Sequence, residues 1–210
     1  MFEEAAQLFD AYCHSFESER HRLPLDLAGE ASYRLQQMQL LIEKVRHLQQ
    51  QDGDQQRRLI ATLGRHAATM TVDGETGEAM MGVPDEFGAI FASHQATALA
   101  NALEIQTMTE AFYYFASRLR DILRTHMPYL HKFESLGVRD VRHHLIEHPE
   151  KVSKIYRQSM VFGDVDGPKL KVGRTPDDPQ GFYDRGLFVN AKEFETNLVA
   201  KLKAALMRSA

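Results

Sequence analysis

At 210 residues, 43% of them apolar, the chain is long enough to bury one substantial core. Its net charge of −4, with Lys and Arg scattered among Asp and Glu, excludes the polybasic face that grips duplex nucleic acid tightly without regard to sequence, while leaving RNA possible as a transient substrate. The single cysteine, Cys13, excludes an internal disulfide and a multi-cysteine zinc site; the acidic, amphipathic start MFEEAAQLFDAYCHSFESER and the lack of about 18 uninterrupted apolar residues point away from export or a membrane span, so a cytoplasmic location is expected.

Phe2, Ala5, Ala6, Phe9, Tyr12, Cys13 and Phe16 recur at three- and four-residue spacings and predict a first helix that ends before Leu23-Pro24. Tyr33, Leu35, Met38, Leu41, Ile42, Val45 and Leu48 predict a second, stopped by a turn at Asp52-Gly53-Asp54. Leu59, Ile60, Leu63 and Ala67 then mark a shorter third helix with Asp54 as its N-cap. From Val72 to Pro84 three glycines and no period predict a loop or short hairpin, whose acidic residues lack calcium-loop spacing. Asp85 opens the longest helix, to about Thr125, with Ile90, Phe91, Leu99, Leu103, Phe112, Phe115, Leu119, Ile122 and Leu123 on the buried side. Phe112 to Phe115 are consecutive aromatics and so surround that helix, a pattern that suits packing better than base stacking.

Pro128 breaks the pattern, and a further helix is predicted over Ser135 to Glu147, stopped by Pro149, with a short helical piece from Lys151 to Arg157 beyond it. Ser159 to Phe162, Lys169 to Val172 and Gly186 to Val189 are β-rich runs separated by turns at Asp166-Gly167-Pro168 and around Pro176 and Pro179. They predict a small antiparallel hairpin or three-stranded patch, a β-rich appendage over 158–190 within one helical domain of 1–210. Asn190 and Glu193 have capping-box spacing, and Phe194, Leu198, Leu202 and Leu206 predict a terminal amphipathic helix.

The chemistry concentrates in Arg139-Asp-Val-Arg142-His143-His144-Leu-Ile-Glu147-His148-Pro149. On a helix Val138, Val141, Leu145 and His148 form one seam, with Arg142 and His148 three residues to either side of Leu145. They stand roughly 9 Å apart along the axis at 1.5 Å per residue, too far for contact within one helix. A two-fold related copy, antiparallel and centred near Leu145, places Arg142 of one chain beside His148 of the other, so a homodimer is expected. Histidine can take a proton from an RNA 2′-hydroxyl or give one to the leaving oxygen, and arginine holds phosphate oxygens as charge grows on them. Arg142 and His148 are therefore the candidate catalytic residues, His143 beside Arg142 is taken with them, and Arg139 and His144 are candidate substrate contacts.

The spacing from Arg142 to His148, with a polar residue after the arginine, resembles the Arg-x4-6-His signature of HEPN domains. That resemblance implies a mainly α, up-and-down helical bundle that dimerises and places these motifs at the dimer interface. It also implies endoribonuclease activity that uses no metal or other cofactor in active members, and binding or scaffold roles in others. His143 departs from the Asn or Asp that commonly follows the arginine, which puts its orienting role in doubt.

Three other readings compete. Arg142 and His143 can be solvated while His148 caps carbonyls at a helix C-terminus. His144-Leu-Ile-Glu147-His148 fits the His-x-x-Glu-His pattern of inverted zinc peptidases, although Pro149 follows directly and no downstream helix offers a carboxylate ligand. A non-enzymatic helical dimer could bind a protein partner such as an antitoxin, in a toxin-antitoxin or phage-defence setting. Gly163 to Gly173 lacks Gly-Lys-Ser/Thr and is no P-loop, Asp164 to Gly167 is too short for an EF-hand, and no serine stands in a nucleophile elbow.

Overall fold

Apolar spacing and breaker residues turn the chain into helices α1 (Glu3–Glu17), α2 (Leu25–His66), α3 (Asp85–His126), α4 (Leu136–Arg142) and α5 (Leu187–Ser209). Two short strand pairs accompany them, β1 (Met70–Val72) with β2 (Ala79–Met81) and β3 (Lys171–Val172) with β4 (Phe182–Tyr183). The computed structural model describes residues 1–17, 25–66, 70–72, 79–81, 85–142, 165–169, 171–172, 182–183 and 185–209. The mainly helical architecture predicted from periodicity is present. No helix among the described residues is long and apolar enough to cross a membrane.

The chain divides into two compact units, Met1–Val45 with Gln106–Ala210, and Arg46–Ile105. In the first, rings from α3 and α5, from Phe2 just before α1 and from Phe133 in the connection before α4 meet in an aromatic cluster. Phe2 lies 6.4 Å from Phe112 and 6.3 Å from Phe194, and Phe194 stands edge-on to Phe133 at 4.9 Å. Leu35, Met38, Ile42, Leu119, Leu198 and Leu202 are fully buried around these rings. Of the consecutive aromatics, Phe112 and Tyr113 are buried and Tyr114 is exposed, with the Arg34 guanidinium over the Tyr114 and Phe115 rings. That division is what one turn of helix demands of four bulky neighbours.

Helix α2 corrects the turn predicted at Asp52-Gly53-Asp54, because the helix runs through it. Both aspartates are held inside the helix, Asp52 accepting from Gln56 Nε2 at 3.1 Å and Asp54 pairing with Arg57. Strong helix formers follow on either side. A single helical glycine costs only about 1 kcal/mol relative to alanine and does not stop such a run. Asp54 is therefore interior to α2 and caps no separate helix.

In the second unit, the hairpin alternative for 72–84 holds in part: β1 and β2 pair antiparallel, Met70 with Met81, Thr71 with Met80 and Val72 with Ala79. The expected buried side of α3 does not hold here. Ile90, Phe91, Leu99 and Leu103 are between 45% and 62% exposed, and Ile60 of α2 is 67% exposed. The better-covered positions of this stretch are His94, Ala98, Asn101, Ala102, Glu104 and Ile105, and they carry small or polar side chains except at Ile105.

The predicted C-terminal hairpin or three-stranded patch is not seen as such. Ser159 to Phe162 lies outside the described residues, and the only described pairing is the two-residue ladder of Lys171 with Tyr183 and Val172 with Phe182. Gly186 to Val189, predicted as a strand, is instead the entry and first turn of α5. The reason lies in its amides: Leu187 N donates to Pro168 O and Phe188 N to Asp166 O, both at 2.9 Å, so this loop closes the helix end. Asn190, predicted as an N-cap, is already helical, donating its amide to Gly186 O at 3.1 Å.

This junction needs glycine. Gly186 has φ of +96°, and a Cβ there would lie 2.4 Å from Asp166 O. Gly186→Ala is expected to lower unfolding stability by about 1–3 kcal/mol, the range for a side chain forced into a sparsely populated conformation. Gly53→Ala should instead raise it by roughly 0.5–1 kcal/mol, since nothing lies within 4 Å of a Cβ at that helical position. Urea unfolding of the two variants beside wild type measures both signs.

Candidate functional site

The motif helix begins in the core. Val138 and Val141 are buried, as the predicted seam requires in its described part, while Arg139 is exposed and its amide donates to Ser135 O at 3.0 Å. Arg142 is the last residue of α4, one turn after Arg139. His143, His144 and His148 lie outside the described residues, as does Leu145. The structure thus places the arginine half of the predicted constellation on one helix.

The base of α4 is gripped from two sides. From α3, the buried Arg120 donates through Nε and Nη2 to Glu134 Oε2 at 3.0 and 2.8 Å, and Arg124 pairs with the other oxygen of that carboxylate. A buried guanidinium is costly unless its donors are met, and the two-point contact on Glu134 meets that need. From α5, Asn197 Nδ2 donates to Glu134 O at 3.2 Å, and Asn190 Nδ2 donates to the buried Tyr113 hydroxyl at 2.8 Å. Arg185 Nη2 donates to Asn190 Oδ1 at 3.3 Å and pairs with Glu193. Gly137 lets α4 pass close by, since a Cβ there would stand 2.2 Å from Asn190 Oδ1.

No family model, curated protein or solved structure matches this chain.

Arg120, Glu134, Tyr113 and Asn190 form the hydrogen-bonded surroundings of α4, and no short motif announces them. One signal does exist in the sequence: Arg120 and Arg124 stand four apart and present two cations along one side of α3. The partner Glu134 lies beyond the Pro128 turn, so only the fold reveals the pair. That turn is itself fixed, because the Tyr12 hydroxyl donates to Pro128 O at 2.7 Å. Burial pushes the Tyr12 phenol well above its ordinary value, with the neighbouring Cys13 adding to the shift, so the hydroxyl keeps its proton and its donor role.

Among the described residues no group of three or more His, Cys, Asp and Glu could hold a metal ion. The zinc pair His144 and His148 lies outside them. On α4 Arg139 is exposed, and Arg142 follows it one helical turn later.

Proposed function

We propose that this chain is a HEPN-like helical protein that cleaves RNA without a metal ion, in a site shared by two copies of the chain. Arg142 holds the scissile phosphate, His148 moves the proton, His143 orients them, and Arg139 and His144 contact the substrate. The supporting observation is the burial of Val138 and Val141, which orients the described part of the motif helix as the predicted seam does and leaves Arg139 on the outer side. In the reaction a neutral His148 accepts the 2′-hydroxyl proton as the 2′ oxygen bonds to phosphorus. The bond from phosphorus to the 5′ oxygen breaks, an imidazolium protonates that leaving oxygen, and the products are a cyclic phosphate and a 5′-hydroxyl. Arg142 acts by stabilising negative charge on the phosphoryl oxygens in between.

Incubation of the wild-type protein with labelled single-stranded RNA in EDTA tests the reading. Cleavage that persists in chelator supports it. Cleavage abolished by chelator transfers the activity to a metal held by His144 and His148, and intact RNA across varied sequences removes the ribonuclease altogether.

A second reading, a non-catalytic HEPN-like dimer that serves as a binding or scaffold protein, is favoured by the inverted polarity of the second unit. Gln49 Nε2, Asp52 Oδ1, Gln55 Oε1 and His94 Nε2 are buried there without a hydrogen-bond partner, while Ile60, Phe91, Leu99 and Leu103 face outward. Between Glu86 and Glu104 α3 carries no Asp, Glu, Lys or Arg. An isologous contact sets like against like, and a face without charge does so without self-repulsion. Sedimentation should give a dimer for wild type at micromolar concentration and a monomer for Leu99→Glu with Leu103→Glu; a monomeric wild type, or an unchanged dimer in the variant, sinks this reading.

A further inference from the structure

We propose that the concavity between the 129–132 turn and the C-terminal half of α5 is a phosphate-binding site, separate from the motif on α4. It encloses about 150 Å³, ample for one phosphoryl group, where a liquid water takes about 30 Å³. Lys201 and Arg208 contribute from α5, and His131 and Lys132 from the turn; no carboxylate among the described residues lines the space. Lys201 and Arg208 stand seven residues apart, roughly 10 Å along the axis at 1.5 Å per residue. Between them Ala204 and Ala205 end at Cβ and leave the hollow open.

The pairing of charges on α5 singles these cations out. Lys192 is bound to Glu195 at 3.0 Å and Lys203 to Glu4 at 2.7 Å. Lys132 and Lys201 have no carboxylate partner among the described residues, in a chain whose net charge is negative. Gathering unpaired cations raises their mutual repulsion, which an anion with several acceptor oxygens relieves through charge-assisted hydrogen bonds. Compensation of the helix dipole explains Arg208 in the last turn of α5. It does not explain Lys201 two turns earlier, or Lys132 supplied by the turn.

The site is also prearranged. Tyr129 holds φ of +62°, the one non-glycine residue with positive φ among those described, and its ring lies 5.8 Å from the Arg208 guanidinium carbon. That stacking restrains a long side chain that would otherwise lose freedom on binding. The turn cannot drift, because the Tyr12 hydroxyl holds Pro128 O, Leu130 N donates to Met127 O, and Phe133 N donates to Leu130 O at 2.8 Å. Leu130 and Phe133 are fully buried beneath it. A left-handed aromatic residue kept in place by so many contacts is the kind of local strain found at ligand sites.

The ligand chemistry is a phosphoryl anion, whether free or within an RNA backbone. Amide chemical shifts of the ¹⁵N-labelled full chain, titrated with inorganic phosphate and with a six-nucleotide oligouridylate, distinguish the sources. Either probe should move the amides of 129–132 and 201–208. RNA as the source predicts at least tenfold tighter binding by the oligonucleotide, with affinity falling against salt by a log-log slope of about −0.7 per phosphate held. Equal affinities identify free phosphate as the source. Lys132→Gln with Lys201→Gln should weaken either probe at least tenfold at unchanged melting temperature; Arg208→Gln, at an exposed position, gives the same reading should the double variant fold poorly. Still amides at tens of millimolar phosphate, or variants that bind as wild type does, overturn the proposal. None of these outcomes depends on RNA being cut.

Discussion

Arg142→Ala is expected to lower chelator-resistant RNA cleavage by about 10²–10³-fold, the usual loss when one donor to a developing oxyanion is removed. Arg142→Lys should recover only part of it, because an ammonium keeps the charge but not the planar two-point fork. His148→Ala should cost about 10²–10⁴-fold through loss of proton transfer. The proposed two-chain site predicts a result that no single-chain site can give. Each inactive variant retains the half that the other lacks, so mixed dimers of Arg142→Ala with His148→Ala contain one intact Arg142–His148 pair of the two possible. With random reassortment half the dimers are mixed, and the mixture should regain about a quarter of wild-type activity. Recovery near zero in a mixture shown to exchange subunits places Arg142 and His148 of the same chain together, or shows that they do not act as a pair.

The effect of Arg142 also depends on how α4 is held. Arg139 and Arg142 occupy successive turns of a seven-residue helix, too short to be stable by itself. Its orientation comes from Val138 and Val141 in the core and from Glu134 two residues before it, which Arg120 and Arg124 fix from α3.

The helices were legible where a stripe of large apolar residues faced one core. Phe2 just before α1, Ala5, Phe9 and Tyr12 of α1, and Phe194, Leu198 and Leu202 of α5 are buried as their spacing requires. Periodicity failed where it could not distinguish inside from outside. In the second unit Leu99 and Leu103 recur at helical spacing yet face outward, while His94 and Asn101 lie on the better-covered side, since spacing fixes a face and not what covers it. It failed again at Gly186 to Val189, whose β-rich composition was overruled by two loop carbonyls that accept the first amides of α5. Of the candidate site, the seam through Val138 and Val141 was readable. Its anchors were not, because Arg120 and Glu134 meet across the Pro128 turn and Asn190 meets Tyr113 between helices distant in sequence. The cations of the phosphate hollow were also hidden, divided between a turn and a terminal helix.

Phe194→Ala is expected to lower unfolding stability by about 3–5 kcal/mol, a large part of the roughly 5–15 kcal/mol that holds a typical domain. Phe194 is fully buried, edge-on to Phe133 at 4.9 Å and to Phe2 at 6.3 Å. Alanine removes the transfer energy of the ring, leaves a cavity beside Phe2 and Phe133, and forfeits two edge-to-face contacts of about 0.5–1.5 kcal/mol each. Phe194→Leu should recover much of the loss by refilling the volume without the ring contacts. Phe91→Ala provides the contrast: an aromatic of the same size, half exposed on α3, should change stability by no more than about 0.5 kcal/mol. Urea unfolding of the three variants decides whether burial or aromatic content sets the cost. The same deletion reaches the motif, because Phe133 directly precedes Glu134, and loosening it loosens the carboxylate that positions the start of α4. Cleavage by Phe194→Ala measured well below its melting temperature should therefore fall further than the folded fraction alone accounts for, whereas Phe91→Ala should retain wild-type activity; a fall no larger than the unfolded fraction would show that α4 keeps its orientation without the ring beneath it.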